Sequence, residues 1–278
     1  MALRKRLPRK KEPVTLAAIH ANRGVEAWYR DQLQALVKEC SDEAVREIRA
    51  TWHAAPPSSG LASDASPTER LQKTLTKFGD KWQARFNKLS DTMARRFARK
   101  NFATTEAAFM GALTQAGFAV KFKPNPASLE AYGAVVGENV NLIRNLGRET
   151  LDDIQGRVWQ SVRAGHDMGQ LSTELHNVFG MNWRRAALIA RDQNNKAKAV
   201  IESQRRKELG IKEAIWQHSG GGVTPRPTHV EAGRKKVRFD ISTGWYDPAV
   251  GKYIWPGTEI NCRCVSKAVI PGLDDSFY

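Results

Sequence analysis

Only three of the 278 residues are cysteine, an odd number that cannot pair into a disulfide framework, and Cys40 stands far from the close pair Cys262 and Cys264. A reducing compartment is the expectation. No run of about 18 apolar residues occurs, and the N-terminus lacks the apolar core of a signal peptide. The chain is therefore expected to be soluble and made in a cytoplasm. Catalytic signatures are missing as well. His218-Ser219-Gly220-Gly221-Gly222 has the look of an esterase oxyanion loop, but no Gly-x-Ser-x-Gly elbow accompanies it. No Gly-Lys-Ser/Thr follows the glycines, which removes a P-loop. Asp152 and Asp153 are adjacent on a helix and point apart, so they make no metal dyad.

Acidic residues are also in deficit: 29 Asp and Glu face 44 Lys and Arg, for a formal charge of +15. Such a surplus says nothing of fold, but it favours polyanionic partners and salt-sensitive association. Six cations (Arg4, Lys5, Arg6, Arg9, Lys10 and Lys11) crowd the first twelve residues against one Glu, a block that repels itself. Residues 1–23 are read as a basic flexible arm. A hydrophobic content of 41% with eight tryptophans makes the remainder a folded chain.

From Gly24 the apolar spacing turns helical, through Trp28, Leu33, Leu36, Val37 and Cys40, with Ser41-Asp42-Glu43 resembling a fresh helix start. Residues 53–66 are the best linker candidate. Ser66-Pro67-Thr68-Glu69 is a capping box that opens a helix reaching about Asn101. Phe86, Leu89, Met93 and Phe97 form its apolar stripe, while Arg85, Lys88, Arg95, Arg96, Arg99 and Lys100 lie opposite or on its flanks. That basic side and the arm are the candidate DNA-binding residues; a solvated charged face is the plainer reading. A helix over 105–115 follows, and Lys121-Phe122-Lys123-Pro124-Asn125-Pro126 marks a boundary.

In the second half, helices are expected over 139–146, 149–162, 171–179 and 182–209, each stopped by a glycine (Gly147, Gly165, Gly180, Gly210). Arg184, Arg185, Arg191, Lys196, Lys198, Arg205, Arg206 and Lys207 are placed mostly on the outside of the last one. Strand-like runs follow at 214–217, 236–239 and 263–269. The fold class is mainly α: a helical N-terminal part, then helices, then a small α+β unit over 211–270.

Cys262 and Cys264 are two apart, so on a strand over 259–265 they face one side, and the turn-rich run before them can fold His229 back over that face. His229, Cys262 and Cys264 are ligand types that zinc accepts, with His218 or Glu259 as a fourth. A metal-free brace, with Arg226 or Arg263 paired to Asp240 or Glu259, is the default reading. The cofactor expectation is none, with a structural zinc as the alternative.

The order Ala190-Arg191-Asp192-Gln193, Trp216, Arg226-x-x-His229 with Gly233, Pro256-Gly257 and Asn261-Cys262-Arg263-Cys264 resembles the Mu F-like phage head morphogenesis family over roughly residues 139–269. The division that follows is an arm (1–23), a helical domain (24–125) and a Mu F-like domain (126–278). The resemblance implies a non-enzymatic minor capsid protein inside the virion, assembled in the host cytoplasm. Its partners would be the portal protein, the major capsid protein and double-stranded DNA, with no membrane. Many relatives carry Cys-x-x-Cys where this chain has Arg226-x-x-His229, and a histidine where it has Glu259, so the resemblance implies that an inherited metal site is altered or lost. An enzyme built on the C-terminal unit, a nuclease or a transferase-type effector, is the rival; the nuclease would need clustered carboxylates for Mg²⁺. A pure adaptor meeting acidic protein surfaces is the third reading.

Overall fold

The structure is a computed structural model that describes residues 4–5, 13–54, 67–165, 168–221 and 224–271. Five helices account for most of it: α1 (Arg23–Ala54), α2 (Pro67–Gln115), α3 (Pro126–Ala164), α4 (Met168–Glu208) and the short α5 (Pro227–Arg234). The strands are β1 (Arg4–Lys5), β2 (Val14–Thr15), β3 (Phe118–Ala119), β4 (Glu213–Gln217), β5 (Arg238–Asp240), β6 (Trp245–Asp247), β7 (Lys252–Ile254) and β8 (Val265–Ile270). The chain is mainly α with a small α+β C-terminal unit. Among the described residues no helix is long and apolar enough to cross a membrane.

The contacts divide into two compact units, each assembled from separated segments. One unit joins Ala27–Arg95 to Gly137–Ala190. Its helices bury Tyr29, Leu33 and Val37 of α1, Trp82 and Phe86 of α2, Ile143 and Leu146 of α3, and Leu171 and Leu175 of α4. These apolar positions recur three and four apart, the spacing that lines one helix face. The Tyr29 hydroxyl, buried among them, donates to Asn139 Oδ1 at 2.9 Å.

Of the expected helix stops inside this unit, Gly165, at φ +67°, does follow the end of α3 at Ala164, but Gly147 and Gly180 end nothing. α1 runs through Ser41, α3 through Gly147 and Gly156, and α4 through Gly180. An interior glycine costs a helix about 1 kcal/mol, and burial of the flanking apolar stripes offsets it. At Gly147 the missing side chain is a packing requirement: a Cβ would sit 2.4 Å from Phe86 Cγ. α2 likewise runs on past Asn101 to Gln115. The helical break after it holds, although residues 96–136 belong to one unit: Asn125 and Ser128 cap α3 reciprocally, Asn125 Oδ1 accepting the Ser128 N–H at 2.8 Å and Ser128 Oγ accepting the Asn125 N–H at 3.0 Å. Pro126 occupies the first helical position.

The second unit joins residues 1–26, 96–136 and 191–278. Its centre is an antiparallel sheet in the order β2-β8-β4-β5. β4 pairs along its whole length with β8, from Glu213 opposite Val269 to Gln217 opposite Val265. The strand expected over 259–265 begins only at Val265; a turn occupies the residues before it. Within the segment assigned to the basic arm, Val14–Thr15 pairs with Val269 and Ile270, and Leu16 and Ile19 are buried. β1 pairs with β3 through its backbone. Arg6, Arg9, Lys10 and Lys11, and most of the expected linker, lie outside the described residues.

Lys198, Arg205 and Arg206, read as outward cations, are buried. Each has an anionic partner, without which burial of charge is prohibitive. Glu202 takes Lys198 Nζ at 2.5 Å and also pairs with Arg206, whose guanidinium donates to Ser266 Oγ on β8 at 2.7 Å. Arg205 is held by Glu106 and Glu208. These ion pairs tie the end of α4 to the sheet and to α2 within the unit.

Candidate functional site

The turn leading into β8 is pinned from α4. Asp192 accepts the Asn261 backbone N–H at 2.8 Å, and Arg191 Nη2 donates to Asn261 Oδ1 at 2.9 Å. Asn261 sits at φ +60°, a left-handed conformation that asparagine tolerates better than most residues. Gly257 just upstream has φ +90°, where a Cβ would also meet the Cys264 carbonyl at 3.3 Å. Arg226, at the head of α5, donates to the Ile260 carbonyl at 3.0 Å. Gly233, near the far end of α5, lets that helix lie against β4's continuation: a Cβ there would stand 2.6 Å from His218 Cβ. The scattered residues of the sequence motif therefore converge on one hub.

At its centre is His229, 2% exposed. Nδ1 lies 3.5 Å from Cys262 Sγ and 3.8 Å from Cys264 Sγ. On the opposite edge of the ring, Nε2 is 3.3 Å from Asp247 Oδ2. Asp247 is fully buried; Thr228 Oγ1 donates to Oδ2 at 3.3 Å and the Ala249 N–H to Oδ1 at 3.0 Å. Trp216 meets the imidazole edge-on, centroids 5.1 Å apart, and Trp245 packs on Trp216 at 5.0 Å. The two thiols differ. A hydrogen bond from Cys264, aided by one from His229, holds Cys262 down to about 4 against the opposing effect of burial. That same bond, together with burial, pushes Cys264 well up.

The hub opens onto a cavity of about 550 Å³ lined by Arg191, His218, Ser219, Arg226, Arg263 and the three clustered side chains. Among the described residues, His229, Cys262 and Cys264 are the group able to hold a metal ion, their donor atoms all within 4.8 Å of one another. Sequence reasoning found these three, but not the carboxylate behind them: nothing in Trp245-Tyr246-Asp247 marks Asp247 as buried. Glu259, offered as a fourth ligand or brace, pairs instead with Lys252 at 3.0 Å. Asp240, the other proposed brace acceptor, takes the Ser242 and Thr243 N–H groups. His218 lines the cavity, its Nδ1 accepting the Gly220 N–H at 3.1 Å.

The basic residues of α2 remain at the surface, though some are engaged. Arg85 pairs with Glu39 and stacks over Trp82 at 4.5 Å, and Arg95 pairs with Asp91 at 2.7 Å. Arg96 is exposed and Lys100 half-buried; Lys88 and Arg99 are exposed, with no carboxylate partner among the described residues.

Residues 152–267 match the family described as Phage Mu protein F like protein, in support of the resemblance carried by the motif residues. Over 273 residues the chain is 26% identical to an uncharacterized protein of Haemophilus influenzae. The alignment covers 96% of this chain and 56% of the relative, so the chain spans little more than half that relative's length. No solved structure matches.

Proposed function

We propose that this chain, Mu F-like over residues 152–267, is a non-enzymatic phage head morphogenesis protein. In this reading it is a minor capsid component that associates with the portal or the inner capsid surface and touches packaged double-stranded DNA without reading its sequence. The observation that carries the reading is the family match, whose motif residues from Arg191 to Cys264 form a single braced hub. Such a hub suits a rigid docking element.

The charge of +15 supports the DNA contact. Lys and Arg neutralise phosphate and release counterions, which gives affinity without base readout. The capsid interior, where phosphate is dense, is the proposed location. The metal-dependent nuclease alternative draws no support from the carboxylates: among the described residues, the one candidate metal group is a histidine with two cysteines.

Duplex DNA of arbitrary sequence, titrated with the full chain in a gel-shift assay at rising salt, tests the DNA contact. Binding should weaken linearly on a log–log plot; a complex indifferent to salt, or none at low salt, removes it. Copurification with the portal protein after nuclease treatment tests the docking half. A portal that never copurifies, with or without DNA, removes that half.

A further inference from the structure

We propose that His229 Nδ1, Cys262 Sγ and Cys264 Sγ hold a zinc ion whose fourth position opens to the arginine-lined cavity, with Asp247 fixing the imidazole from behind. Tetrahedral zinc with bonds of about 2.3 Å to sulfur and about 2.0 Å to nitrogen separates an N and an S ligand by about 3.6 Å. The two observed separations are 3.5 and 3.8 Å. Two edges of one face of the coordination tetrahedron are thus already in place, and the two sulfurs lie within 4.8 Å of each other.

Hydrogen bonding alone accounts for the cluster less well. Nδ1 faces two sulfurs at once, and one N–H, or one lone pair, serves only one of them. A metal satisfies both contacts together. Asp247 adds an independent observation. Its carboxylate is fully buried and lies beside Nε2, and the one ion pair it makes among the described residues is to His229. A carboxylate on the far nitrogen of a metal-bound histidine fixes tautomer and ring orientation and raises ligand basicity. Here Nε2 stands 3.3 Å from Oδ2 without a hydrogen bond, and a small ring rotation on metal binding would close one, leaving Nδ1 unprotonated and aimed at the sulfurs.

No fourth His, Cys, Asp or Glu joins the group among the described residues. Glu259 is engaged by Lys252, and His218 is held by the Gly220 N–H and by the close approach of Gly233. Three protein ligands with one position left to solvent is the arrangement of an exchangeable zinc, not of a closed structural one. Two thiolates neutralise the ion, so the surrounding charge is set by Arg191, Arg226 and Arg263, which line the same cavity. Water would occupy the fourth position, and a small anion would displace it readily.

The full-length protein, purified without chelator and dialysed against micromolar zinc, should carry about one zinc per chain by elemental analysis. Cys264→Ser should lose it, and Asp247→Asn should keep the site but bind zinc 10- to 100-fold more weakly. Cobalt(II) in place of zinc should give the visible absorption of a tetrahedral thiolate site, and added azide should shift that spectrum. A folded wild-type chain with less than about a tenth of a zinc per molecule overturns the site, whether or not the variants fold. A cobalt spectrum unmoved by azide overturns the open position. The inference stands apart from the capsid reading: zinc-free protein that still binds DNA removes the metal alone, and zinc-loaded protein that ignores DNA leaves the metal in place.

Discussion

Asp192 reaches from α4 to accept the backbone N–H of Asn261 at 2.8 Å, and so holds a left-handed residue one position before Cys262. A charged acceptor makes this part-buried bond stronger than an ordinary hydrogen bond. Asp192→Ala should cost about 2 kcal/mol, measured by urea denaturation against the wild type. A loss below about 0.5 kcal/mol would mean that the turn holds itself without the helix.

Two glycines of α3 should answer the same substitution with opposite signs. Gly147→Ala drives a methyl into Phe86 and should destabilise by roughly 1–3 kcal/mol. Gly156 is exposed with nothing within 4 Å of its missing Cβ, so Gly156→Ala should stabilise by up to about 1 kcal/mol. Thermal melts of both variants check the pair, and equal responses would contradict the packing at Gly147.

Glu202 is the anion between two buried cations, Lys198 and Arg206. Glu202→Gln should cost about 3 kcal/mol or more, because it strands both charges away from water. Pairing Glu202→Gln with Lys198→Met should recover part of that loss. A double variant no more stable than the single would deny the coupling.

Asp240 sits below its ordinary 3.8, chiefly because the Ser242 hydroxyl donates to its carboxylate, helped by the Ser242 and Thr243 N–H groups. A carboxyl depressed in the folded state contributes its stability above the unfolded value and loses it as pH falls through the folded one. The wild type's advantage over Asp240→Asn should therefore be level above about pH 5 and shrink under acid. Denaturation curves at stepped pH report it, and an advantage that grows on acidification would reverse the assignment.

On the DNA side, Lys88 and Arg99 are among the α2 cations that no carboxylate pairs with among the described residues, whereas Arg85 is taken by Glu39. Lys88→Ala and Arg99→Ala should each reduce the salt slope of binding by up to about 1. Arg85→Ala should change it less. Fluorescence anisotropy across a salt series measures the slopes, and three identical wild-type slopes would move the DNA contact off this helix.

The strands β4, β5 and β8 were legible because β-branched and aromatic residues alternate there between glycine-rich turns. The meeting of His229 with the cysteines was legible because turn chemistry and two-residue spacing are local properties. Helix ends were legible at Pro67, Gly165 and Gly210 but not at Gly147, which reads as a stop until Phe86, remote in sequence, supplies the reason for a side chain to be missing. The outward assignment of Lys198 and Arg206 failed for a related reason. A Lys-x-x-x-Glu-x-x-x-Arg string looks the same on a solvated helix, and only Ser266 of β8, accepting from Arg206, reveals that it is covered. Asp247 was invisible because its role rests on a histidine brought to it by a separate helix.

β8, the inner strand between β2 and β4, is the last element of the described chain, while β2 comes near its start. During synthesis, Val14 and Thr15 must wait for Val269 and Ile270 to leave the ribosome, and Leu16 and Ile19 wait with them, greasy and uncovered. Closure of this sheet is thus a late, long-range event with a high entropic barrier. A chaperone, or an early-folded helical partner, would find its natural moment of engagement in that interval.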